Sequence, residues 1–140
     1  MRWLALPSNG FGEDWEERIL EIDHSLESQG YELAEESIYL IYSHSARDIL
    51  SGHGHCLVAR PVIGPKKSPG APFLLKDWTA SEVWKRSVGG ATLEDLLVSV
   101  DSVSKEARGQ EKPLVGGFIL CLHRKLEPGL SLTIEAIFPE

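Results

Sequence analysis

Two acids set among apolar neighbours are the residues of this chain best placed to do chemistry. Glu135 stands in the run Leu132-Thr133-Ile134-Glu135-Ala136-Ile137-Phe138. Strand alternation puts Leu130, Leu132, Ile134, Ala136 and Phe138 on one face, and Ser131, Thr133, Glu135 and Ile137 on the other. A covered carboxylate in such company loses hydration, and a bound organic cation would compensate that cost. On a half-exposed strand the same residue is simply solvated. Glu82 shares alternate positions with Trp78, Ala80, Trp84 and Arg86. An acid between indole rings suits an amphipathic cation, which gains both a ring face and a counter-charge. The plainer reading has Trp78 and Trp84 as core and Glu82 paired with Arg86. Trp15, Tyr39 and Tyr42 are further candidate pocket walls, with the same core alternative.

Other constellations carry less. His44, His53, His55 and Cys56 raise the idea of a metal, and His-x-His on a strand puts both rings on one face. Cys56 then points the other way and no third ligand is spaced nearby, so a polar, His-rich loop is the reading kept and no metal site is assigned. His123 with Glu135 across a final hairpin makes a conceivable acid–base pair. No serine nucleophile elbow, phosphate-binding loop or dinucleotide glycine pattern is present, and no cofactor is implied. Ser8-Asn9-Gly10-Phe11-Gly12 leads into a helix and reads as a turn with at most a weak hold on an anion.

Positioning these residues takes one domain of 140 residues. The formal net charge of −7 disfavours DNA or RNA, whose phosphates reward clustered Lys and Arg. The apolar run that opens the chain stops at Pro7, too short for a signal peptide, and no apolar stretch approaches the roughly 20 residues of a membrane helix. The chain reads as cytoplasmic. Cys56 and Cys121 sit in apolar strand-like runs without C-x-x-C spacing and read as buried thiols.

Trp15, Ile19, Ile22 and Leu26 recur at helical spacing and predict a helix over Glu13–Gln29, with acids in its first turn and Gly30 as its stop. Leu93, Leu96, Leu97, Val100, Val103 and Ala107 predict a second over Thr92–Arg108, opened by Thr92 with Asp95. Strands are expected over Ser37–Tyr42, His55–Val62, Leu74–Val88 (long, with a possible bulge), Val115–Lys125 and Leu130–Phe138. Lys66–Pro72 reads as a turn-rich linker. The order is strand, helix, strand, strand, linker, then the same four elements again. A slide of 78 positions lays Trp15, Ile19 and Ile22 on Leu93, Leu97 and Val100, and Pro61 on Pro139. The expected fold is therefore α+β: tandem duplicated β-α-β-β units over roughly 1–64 and 73–140, antiparallel sheet with two helices, related by a pseudo-two-fold.

Certain runs carry a resemblance. Trp84-Lys85-Arg86-Ser87-Val88-Gly89-Gly90-Ala91-Thr92-Leu93-Glu94-Asp95-Leu96 is a strand, a glycine corner and a helix entry, echoed by Gly10-Phe11-Gly12-Glu13-Asp14-Trp15. Ile41-Tyr42, an irregular loop, Cys56-Leu57-Val58-Ala59-Arg60-Pro61-Val62 and the closing Leu132–Pro139 complete the pattern. This resembles the GyrI-like family, the AraC-type effector-binding domains, over nearly the whole chain. The chain departs from it at Phe118-Ile119-Leu120-Cys121-Leu122, where many members carry Glu-x-Tyr. The resemblance implies a stand-alone ligand-binding domain. Its cleft, between the two halves, takes hydrophobic or cationic small molecules, and the candidate lining read from the residues themselves is Trp15, Tyr39, Tyr42, Trp78, Glu82, Trp84 and Glu135. It also implies two alternatives: a small-molecule hydrolase and a protein-interaction module using the acidic first helix.

Overall fold

The computed structural model describes residues 2–8, 12–64, 70, 73–77, 83–88, 92–109, 118–123 and 133–139. The first helix, α1 (Trp15–Gln29), buries Ile19 and Ile22, each worth roughly 1.5–3 kcal/mol. It ends where expected. Gly30 adopts a left-handed conformation (φ 78°), its N–H donates to the Glu27 carbonyl, and the Tyr31 N–H reaches back to Leu26 at 2.9 Å. A short helix, α2 (Ala46–Leu50), lies within the His-rich stretch expected to be loop. Ser45 caps it by accepting from the Asp48 N–H, a Ser-x-x-Asp signature that was present in the sequence. The last helix is α3 (Leu93–Gly109), where Thr92 Oγ1 accepts from the Asp95 N–H at 3.1 Å.

The strands are β1 (Arg2–Ser8), β2 (Glu32–Leu33), β3 (Ile38–Tyr42), β4 (Cys56–Ile63), β5 (Leu74–Asp77), β6 (Val83–Val88), β7 (Phe118–His123) and β8 (Thr133–Pro139). They pair in the order β5-β1-β4-β3-β7-β8-β6, with β2 on β4, and every ladder is antiparallel. The α+β class and the antiparallel sheet agree with the sequence reading. The single long strand over Leu74–Val88 does not. Its first part pairs with β1 at one edge of the sheet, and its second part pairs with β8 at the opposite edge. Alternation reports local extension but not the partner, so one extended run served two edges.

Helices cover one face of the sheet. Leu4, Leu6, Ile38, Leu40, Tyr42, Val58, Phe118, Leu120 and Leu122 form a core with Ile19 and Ile22 of α1, Ile49 of α2, and Leu97 and Val100 of α3. The other face carries a smaller buried cluster of Trp3, Ala5, Tyr39, Ala59, Ile119 and Cys121, edged by the partly buried Ile41 and Leu57. Among the described residues no helix joins that second cluster.

Candidate functional site

Strand periodicity divides the expected pocket residues between the two faces. Tyr42 stacks on Phe118 (centroids 4.6 Å apart, planes 14° apart) inside the helix-covered core. Tyr39, three residues earlier, belongs to the opposite face, where it stacks on Trp3 at 5.1 Å and 28°. Trp15 is half-buried at the start of α1, on the helix side. Trp84 stands opposite Phe138 in the β6·β8 ladder, and Glu135 opposite both Ser87 and Cys121. Trp84 and Glu135 thus hold positions of opposite parity, and the ladder does not place them on one wall. Trp78 and Glu82 lie outside the described residues.

One cross-strand row gathers the most suggestive chemistry. Reading across the sheet, Ala5 pairs with Ala59, Ala59 with Tyr39, Tyr39 with Cys121, and Cys121 with Glu135. Neighbouring strands lie about 4.8 Å apart, so the Tyr39 and Glu135 backbones stand about 10 Å apart with Cys121 between them. Small side chains at Ala5, Ala59 and Cys121 flank the single large ring of Tyr39. The Trp3 ring closes one side of it. The hydroxyl of Tyr39 donates to Glu35 Oε1 at 2.5 Å, and Glu35 is exposed on the segment between β2 and β3. Trp3 and Glu35 escaped the sequence reading. Trp3 lay in an opening strand with no polar pattern around it, and Glu35 in an acidic turn with no periodic signal.

Electrostatics set what this row can do. Burial, and then the hydrogen bond to Glu35, push the Tyr39 phenol well above its ordinary value, with Cys121 adding to the shift. The phenol therefore stays protonated and acts as a hydrogen-bond donor, not as a base. On the helix side, burial lifts the Tyr42 phenol with Cys56 beside it, and burial pushes the Cys56 thiol up from 9.0 to about 12, although Tyr42 pulls the other way. A thiol so protonated is a poor nucleophile at neutral pH.

No family model, no curated protein and no solved structure matches the chain. Among the described residues, no group of three or more His, Cys, Asp or Glu side chains is gathered as for a metal ion, and no helix is long and apolar enough to cross a membrane. His44 is instead tied to its neighbours: its Nδ1 lies 2.9 Å from Ser43 Oγ, and that hydroxyl accepts from the His55 N–H at 2.8 Å.

Proposed function

We propose that the chain is a stand-alone small-molecule-binding domain of the GyrI-like type, whose ligand lies on the helix-free face of the sheet, over the junction of two pseudo-symmetric halves. The observation that carries this reading is the row Ala5–Ala59–Tyr39–Cys121–Glu135. Where helices cover the sheet, the facing positions hold Leu, Val and Phe. Here they hold Ala, Cys and Ile around a stacked Trp–Tyr pair, with the carboxylate of Glu35 on the tyrosine hydroxyl. Aromatic faces beside an acid favour an apolar molecule bearing a positive charge.

The strand ladders support the two-halves part of the proposal. Sliding β1 and β3 by 80 positions takes Leu4 to Trp84 and Leu40 to Leu120, and sliding β4 by 78 takes Val58 to Ala136 and Arg60 to Phe138. The pairs Leu40↔Val58 and Leu4↔Arg60 then become Leu120↔Ala136 and Trp84↔Phe138, which are the pairs of the second half. Helices α1 and α3 begin 78 positions apart, at Trp15 and Leu93. Leu40 and Leu120, equivalent under this slide, face each other in the β3·β7 ladder, where a two-fold axis would pass. On this reading the offset is 78 for helix and closing strand and 80 for the other two strands.

A hydrolase is the weaker reading. It needs a carboxylate and a tyrosine acting on one water, and the Tyr39 and Glu135 positions are separated by the strand that carries Cys121. The experiment is a thermal-shift titration with tetraphenylphosphonium, benzalkonium and uncharged hydrophobes of similar size. A cation at about 100 times its Kd should add roughly 2.7 kcal/mol of stability. Glu35→Gln and Tyr39→Phe should each weaken cation binding several-fold and leave the uncharged compounds less affected. Silence across the panel, or binding indifferent to both substitutions, would overturn the reading.

A further inference from the structure

A cleft lies on the helix-covered side of the sheet, along α1. Residues at helical spacing, Trp15, Glu16, Ile19, Leu20 and Asp23, form one wall of a cleft of about 180 Å³, and Ile38 and Arg60 form the other. An apolar cavity of about 150 Å³ holds a benzene ring, so the cleft has room for one substituted ring. Leu20 is 60% exposed at its rim, an unusual place for a leucine on an amphipathic helix. Trp15, Ile19, Leu20 and Ile38 make the lining largely apolar.

Its polar part is an ion pair that is only half used. Arg60 is 4% exposed; its Nη1 donates to the Glu36 carbonyl at 2.8 Å and its Nη2 to Asp23 Oδ2 at 3.0 Å. Arg60 Nε and Asp23 Oδ1 are both buried with no hydrogen-bond partner. A shut-in donor and acceptor each cost about 1–3 kcal/mol when unpaired. The Asp23 side chain is 35% exposed and lines the cleft beside Arg60. The unpartnered Oδ1 and Nε leave the pair one acceptor and one donor to offer.

We propose that this cleft binds a small planar aromatic amide or lactam, inserted into the Asp23–Arg60 pair. The amide N–H meets the Asp23 carboxylate, the amide oxygen meets the Arg60 guanidinium, and the ring lies against Trp15, Ile19 and Leu20. The pairing rule selects this class. A carboxylate has no donor for Asp23 and is repelled by it and by Glu16. An amidinium has no acceptor for Arg60 and is repelled by its charge. Only a neutral group carrying both satisfies both partners. The site lies on the face opposite Tyr39, and the inference is independent of the function proposed above.

Three probes of one shape decide it: benzamide, benzoate and benzamidinium, titrated into the uniformly ¹⁵N-labelled full chain. Benzamide should give saturable shifts centred on the Trp15 indole N–H and the amides of Leu20 and Asp23, with a Kd in the millimolar range. Benzoate and benzamidinium should each bind at least about tenfold more weakly, the value of one lost hydrogen bond to a charged group. Leu20→Glu, at an exposed helical position, should keep the fold and weaken benzamide several-fold. Asp23→Asn should erase the preference among the three probes. Equal binding of all three, no saturation with benzamide up to about 0.1 M, or shifts unmoved by Leu20→Glu would overturn the proposal.

Discussion

Tyr39 and Tyr42, three residues apart on β3, serve opposite faces of the sheet: Tyr39 stacks on Trp3 outside the helical layer, and Tyr42 stacks on Phe118 beneath it. Their odd separation fixes this, because a strand side chain changes face at every step. The two rings sit in comparable apolar settings but have different hydroxyl partners, Glu35 for Tyr39 and Cys56 for Tyr42. Tyr39→Phe should cost about 1 kcal/mol of stability and lower cation affinity. Tyr42→Phe should leave cation affinity unchanged. Denaturant unfolding and the thermal-shift titration, run on both variants, separate the roles. Equal effects on affinity would remove the distinction between the faces.

Leu40 and Leu120 face each other at the centre of the sheet, and both are fully buried. Leu→Ala at either position should cost about 2–5 kcal/mol. Because the two side chains share one piece of core, the double variant should depart from additivity by about 0.5–3 kcal/mol. Strict additivity in a double-mutant cycle would mean that the two leucines do not pack on one another.

Gly54 has φ of +102°, and a Cβ placed there would lie 2.7 Å from both His44 Nδ1 and Ile49 Cδ1. Gly54→Ala therefore combines backbone strain with a clash against buried Ile49. A loss of about 2–4 kcal/mol is expected from urea unfolding. Gly52, also at positive φ but with nothing within 4 Å of its Cβ, should lose only the backbone part when changed to Ala.

The Cys56 thiol gives the alkaline limb of stability its sign. Its folded value is raised, from 9.0 to about 12, because burial penalises the thiolate. Above pH 9 the unfolded chain releases this proton while the folded chain keeps it, so unfolding becomes easier as pH rises. The contribution is complete below pH 9 and is lost progressively as pH climbs toward 12. The buried phenols of Tyr39 and Tyr42, also raised, act in the same direction at higher pH. Stability measured from pH 8 to pH 11 should fall, less steeply in Cys56→Ala after its lower baseline is subtracted. Native Cys56 should also resist iodoacetamide at pH 8 and react once the chain is unfolded.

Asp23 and Arg60 test how a half-buried pair is held. Asp23→Ala leaves a buried guanidinium with only the Glu36 carbonyl and should destabilise by about 2–4 kcal/mol. Arg60→Met replaces the charge with an apolar side chain of similar length and should cost less. Chemical unfolding of both variants gives the comparison, and the opposite order would show that the guanidinium itself is the stabilising partner.

The sequence by itself determined what depends on near neighbours. Helical spacing of Ile19, Ile22 and Leu26 with Gly30 behind them set α1 and its end, and Thr92 with Asp95 set the start of α3. Alternation marked β3, β4, β7 and β8 as extended, and placed Glu135 on the face away from Ile134 and Ala136. Tertiary structure alone decided what depends on partners far along the chain. It sent Leu74–Asp77 and Val83–Val88 to opposite edges of one sheet and brought Trp3 onto Tyr39. It also joined Asp23 to Arg60 across 37 positions. The reason is physical: backbone propensity and side-chain period act over a few residues. Strand order, ring contacts and ion pairs are instead set by which distant surfaces can be buried together.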